Sequence, residues 1–218
     1  MAAAFGGRLG VAVAGEAGQV SAGDAAATPA WSTIKVPIAV AALRADEALY
    51  PSAVSAITVS DNTAAENLYR AVGPGAVNEV LAEAGMAVTL NTEVVRPEFS
   101  TFGQTLLTPA QEAQLAGTLA CLDGAGDVLG LMGSIDPGQG GLGVLPGAKF
   151  KGGWGPGTDG AYQVRQLGLI PLADASFAAA SLSAFPADGS FATGQLMLTA
   201  AANRLVQLDG LPRAACQP

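Results

Sequence analysis

Strand-forming residues are confined to the two ends of the chain, and a helical block separates them. Residues 8–14 place Leu9, Val11 and Val13 at period two, and after a glycine-containing turn residues 19–22 return as a second strand. Residues 148–153, 161–170 and 176–185 alternate or run apolar in strand-sized lengths. A sheet built from these segments draws on both ends of the chain, so the stretch between them is an insertion.

That insertion reads as helices. Residues 32–43 are almost continuously apolar, with Pro37 early enough to be tolerated in a first turn. Residues 61–72 are capped by Ser60 or Asp61 and closed by Gly73–Pro74; residues 75–84 stop at Gly85, and residues 109–119 give a fourth helix. Residues 88–108 have no period and carry Arg96–Pro97, which predicts an ordered surface loop of a length that is often functional. Residues 133–147 are rich in Gly and Pro, and residues 193–208 carry apolar positions at helical spacing, predicting a closing helix on the sheet. The expected class is α/β of the α+β kind. Residues 1–218 form one unit, with 1–31 and 130–218 as a discontinuous α/β subdomain and 32–129 as a helical subdomain.

At 218 residues the chain buries a sizeable core without metals or cross-links. Its net charge of -8 argues against nucleic-acid or anionic-membrane partners, which require a basic footprint. The apolar stretches are too short or too interrupted to span a bilayer. No basic region followed by a hydrophobic run marks a signal peptide at the N-terminus. Cys121 and Cys216 stand in neither a Cys-x-x-Cys nor a metal-ligand spacing, and a disulfide holding the tail or two unrelated thiols are both consistent with the sequence.

There is no histidine, which removes the commonest general base and the commonest metal ligand. On a helix, Ser32 and Lys35 lie three apart on one face, and a lysine kept neutral by burial or a second cation can take a proton from a serine hydroxyl. Of the three lysines, Lys35 and Lys151 fall in candidate motifs. Each motif alone has a bland reading: a solvated helix face, a helix cap at Ser60–Asp61–Asn62, a strand end at Lys151–Gly152–Gly153. Their order along one chain carries the weight.

Ser32-Thr33-Ile34-Lys35-Val36-Pro37-Ile38 and Ser60-Asp61-Asn62-Thr63-Ala64-Ala65 resemble the first two active-site motifs of class A β-lactamases and penicillin-binding transpeptidases. Lys151-Gly152-Gly153 after a Gly-rich approach resembles the third. The resemblance implies a β-lactamase/transpeptidase-like fold, with a central antiparallel sheet flanked by helices and a reduced all-helical subdomain. It implies a serine hydrolase without cofactor or metal, acting as a monomer on a small β-lactam or a peptidoglycan-like peptide, and secreted or held in the cell envelope. Ser32 would be the acylated nucleophile, Lys35 its base and Ser60 a proton relay. Asn62 would hold the substrate amide and orient Lys35, Lys151 would lower the pKa of its neighbours and attract a substrate carboxylate, and Gly153 would line the cleft. The backbone N–H groups of Ser32 and Trp154 would form an oxyanion hole.

Three departures qualify this. The stretch from Ser32 to Ser60 is short, so the helical subdomain is trimmed. Gly152 stands where the family has a hydroxyl for the substrate carboxylate, and Arg165 on the next strand is the expected substitute. Glu98 resembles the loop glutamate that activates the deacylating water, but Phe102 replaces the Asn that accompanies it; a solvated loop carboxylate is the alternative. The competing function is a catalytically weak relative that binds penicillin or cell-wall peptides without turnover.

Overall fold

The computed structural model describes residues 5–218. The opening hairpin is β1 (Arg8–Gly15) and β2 (Gly18–Gly23), and the closing strands are β5 (Lys149–Pro156), β6 (Tyr162–Pro171) and β7 (Phe177–Phe185). They form one antiparallel sheet in the order β2-β1-β7-β6-β5, so the first and last strands pair in register from Arg8↔Phe185 to Ala14↔Ala179. The sheet joins both ends of the chain, as the sequence pattern requires. β3 (Thr28–Pro29) and β4 (Leu106–Leu107) make a separate two-residue ladder.

Helices cover both faces. The terminal helix α6 (Phe191–Leu205) lies on one, where Gly194 sits so near Val164 that an added Cβ would come within 2.5 Å. On the other lies α4 (Pro109–Thr118), opened by a Thr108/Gln111 capping box and packed through Ala113 on Ala12 and Ala14. The apolar face of α4 is matched to the small residues of β1 and β7, Ala12, Ala14 and Ala179.

Four further helices complete the chain. Residues 31–34 form a 3-10 turn that leads into α1 (Lys35–Ala45), so Ser32 lies in the tighter turn and not in the α-helix expected from residue 32. α2 (Tyr50–Thr58) and α5 (Ala125–Met132) were not expected; both are short, and α2 begins at Tyr50–Pro51 with only three fully buried residues to give it a period. The expected pair at 61–72 and 75–84 is present: α3 (Asn62–Glu83) is two helices that meet in a kink at Gly73 (φ 72°, ψ 172°) before Pro74. Residues 88–108 are the expected loop, tied together by Gln104 Nε2, which donates to the carbonyls of Arg96 and Ser100, both at 3.1 Å.

Cys121 and Cys216 form a disulfide with Cα atoms 5.4 Å apart, fixing the tail beside the end of α4. No single helix among the described residues is long and apolar enough to cross a membrane.

Candidate active site

Ser60 is the hub of a polar cluster between the helical block and β5. It has φ 58°, a left-handed conformation uncommon for serine, just before the Asp61 cap that starts α3. This turn points its carbonyl and hydroxyl back towards two lysines. Lys35 Nζ donates to Ser60 O at 2.5 Å and to Asn62 Oδ1 at 2.7 Å, and lies 3.3 Å from Ser60 Oγ. Lys151 Nζ donates to Ser60 Oγ at 2.9 Å and to Gly152 O at 2.8 Å.

Both lysines are buried, with relative exposures of 1%. Burial lowers Lys35 from 10.5 to about 8, against the opposing pull of nearby Asp61. Lys151 is pushed well below the ordinary lysine value, first by burial and then by the charge of Lys35. Two cations facing one hydroxyl thus favour the neutral amine that general-base chemistry needs.

Ser32 is half-buried, one turn from Lys35, whose backbone N–H donates to Ser32 O. Its Oγ has no hydrogen-bond partner among the described residues. The preceding Trp31 is held at φ 53°, and its indole Nε1 donates to Gln163 at 3.2 Å while its ring meets Phe99 edge-on at 5.1 Å. β5 runs directly against this strained turn. A Cβ on Gly153 would fall 2.7 Å from Ala30 O and 2.9 Å from Ser32 N, and one on Gly155 would fall 2.5 Å from the Trp31 ring, so only glycine permits the approach. Trp154 points to the opposite face, half-exposed, and packs on Phe191 at 5.3 Å.

Ser32, Lys35, Ser60, Asn62, Lys151 and Gly153 are therefore brought together, with the Trp154 backbone beside them. Arg165 is not an open substrate contact, which corrects the sequence expectation. It is fully buried and its Nη2 pairs with Glu112 at 2.8 Å, while Nη1 donates to the carbonyls of Thr28 and Pro29, both at 2.9 Å. Burial with one carboxylate and several carbonyls occupies both Nη atoms, and Nε is buried without a partner among the described residues. Glu98 is also outside the cluster: its side chain is 53% exposed and pairs with Arg96 at 2.9 Å. Arg96 donates onward to Pro156 O at 2.6 Å, and Phe102 is buried against Tyr69. The loop thus turns its carboxylate to solvent.

Glu112 was missed by the sequence reading. Its carboxylate accepts from Thr33 Oγ1 at 2.5 Å and Ser181 Oγ at 2.8 Å in addition to Arg165, fastening the residue after Ser32 to the sheet. The available signal was an acid on the apolar face of the 109–119 helix, three after Pro109 and next to Ala113. A cavity of about 1130 Å³ is lined by Trp31, the 88–108 loop and the β5–β6 turn; Ser32, Lys35 and Ser60 do not line it. No cluster of metal-ligating side chains occurs among the described residues.

Residues 52–126 match the β-lactamase enzyme family, a span that contains Ser60–Asp61–Asn62. A comparison with curated protein sequences finds no match. Among solved structures, the chain is similar to a class A β-lactamase from Mycobacterium abscessus, with TM-score 0.76 at 19% identity over 94% of this chain and 95% of that one. A β-lactamase from Chitinophaga pinensis gives 0.77 at 17% identity over the same shares, and an ancestral class A β-lactamase gives 0.74 at 20%.

Proposed function

The chain is β-lactamase-like in fold and in the family match of residues 52–126, and on that premise we propose that it is a serine hydrolase acylated on Ser32. The observation that carries this reading is the convergence of Lys35 Nζ and Lys151 Nζ on Ser60 Oγ, one helical turn from the unpartnered Ser32 hydroxyl. Neutral Lys35 takes the Ser32 proton as Oγ attacks the carbonyl of a β-lactam or a related amide or ester. The N–H groups of Ser32 and Trp154 receive the developing oxyanion. Ser60, charged from the lysine side, passes a proton to the leaving nitrogen, and Asn62 holds the substrate amide as well as Lys35.

A second reading concerns turnover. Glu98 is paired with Arg96 and exposed, which favours acylation followed by slow hydrolysis, the behaviour of a penicillin-binding protein. The Cys121–Cys216 bridge supports residence in an oxidising compartment outside the cytoplasm, and we propose a monomer there. Intact-mass measurement after incubation with benzylpenicillin and with neutral activated esters tests the central claim. An adduct mapped to Ser32 and absent from Ser32→Ala is expected; no adduct with any member of the panel would overturn it.

A further inference from the structure

Trp31, the residue immediately before Ser32, is left-handed, with φ 53°. A non-glycine residue keeps that conformation only where its surroundings over-determine it. The Ser32 N–H that follows makes no hydrogen bond among the described residues, and its nitrogen lies 2.9 Å from where a Cβ on Gly153 would sit. The conformation of Trp31 therefore decides where this unused donor points beside β5.

One buried ion pair holds both flanks of Trp31. On the upstream side, Arg165 Nη1 donates to the carbonyls of Thr28 and Pro29, both at 2.9 Å. On the downstream side, the single proton of the Thr33 hydroxyl is shared between Ala30 O at 2.7 Å and Glu112 Oε1 at 2.5 Å. The contact of 2.8 Å between Arg165 Nη2 and Glu112 Oε2 joins the two sides. Ser181 Oγ donates to the same carboxylate oxygen at 2.8 Å and ties the pair to β7. Thr33, Glu112 and Arg165 have no exposed surface. Apolar residues of similar volume hold a core at least as firmly as a buried ion pair does in many proteins, so stability alone does not account for charges placed here.

We propose that Arg165 and Glu112 are positioning residues for the reaction at Ser32: gripping residues 28–29 and 33, they keep Trp31 left-handed and the Ser32 N–H aimed at the developing oxyanion. Neither touches the substrate. The proposal rests on Ser32 acylation, in which Oγ bonds to the acyl carbon, Lys35 takes the hydroxyl proton and the leaving group departs with the electrons of its bond. Without the pair the turn relaxes, and the donor no longer meets the oxygen as charge builds on it.

The test compares p-nitrophenyl acetate with its thiono analogue, in which sulfur replaces the carbonyl oxygen and accepts hydrogen bonds more weakly. Acylation is read from the nitrophenolate burst and the mass of the Ser32 adduct. Removing one donor aimed at an oxyanion costs about 10²–10³ in rate, so a misaligned one should lower the oxoester-to-thionoester rate ratio at least about tenfold. Glu112→Leu combined with Arg165→Met, which fills the space without charge, should show this fall. Thr33→Val should move the ratio the same way, and Thr33→Ser, which keeps the hydroxyl, should hold it at the parent value. Each ratio is internal to one protein and independent of how much of it folds. A ratio unmoved in the double variant or, should that variant not fold, in Thr33→Val overturns the proposal and leaves the pair a structural anchor, with Ser32 acylation standing. If neither ester marks Ser32 in the parent protein, both fall.

Discussion

Arg165 Nη2 lies 2.8 Å from Glu112 Oε2, with both side chains completely removed from solvent. Removing one partner strands the other as a buried charge, a change that costs about 3–5 kcal/mol. Glu112→Ala should therefore lower the melting temperature by roughly 10 °C, at about 2–4 °C per kcal/mol for a chain of this size. Glu112→Leu combined with Arg165→Met should recover much of the loss. Calorimetry in which the double variant melts below both single variants would refute the assignment.

Acylation should depend on pH through Lys35, the amine lowered to about 8. The active form is the neutral one, so the rate should rise with pH, pass its midpoint near 8 and level off above. The sign for stability agrees. Between about 8 and 10.5 the unfolded chain holds more protons at this position, so the destabilisation from the buried amine is full below 8 and fades as pH rises. Lys35→Ala should slow acylation by about 10²–10⁴-fold, the usual contribution of a general base. A rate that is flat across this range would exclude Lys35 as the base.

Glu98→Ala should change deacylation by less than about threefold. Its carboxylate faces Arg96 and water, and an exposed pair of this kind contributes about 0–1 kcal/mol. The decay of the Ser32 adduct, followed by mass, reads this directly; a large slowing would return Glu98 to the site.

Removing the disulfide by Cys121→Ser with Cys216→Ser should lower the melting temperature by about 4–16 °C, from the 2–4 kcal/mol typical of such a link. Thiol titration of the denatured, unreduced protein should find no reactive thiol. Two titratable thiols would contradict the bridge.

The sheet and most helices were legible because period-two strands and Gly/Pro boundaries are local signals. The helix at 50–58 was not, because nine residues with three buried positions show little periodicity. At the site, Ser32, Lys35, Ser60, Asn62 and Lys151 carry their chemistry in residue type and spacing. Arg165 left its expected place for a non-local reason. Glu112, far away in sequence, supplies a buried carboxylate that draws the guanidinium inward. Nothing within a few residues of Arg165 encodes that.

The pairing of β1 with β7 also orders assembly in time. The strand at the middle of the sheet is the last to leave the ribosome, and until it arrives two separate hairpins hold the remaining strands. Isolated hairpins are marginal in water. Lys151 takes its place over Ser60 only when β5 and β6 are joined to the opening strands through β7. A nascent chain can thus carry every reactive side chain of the cluster and still be chemically inert until β7 has been made.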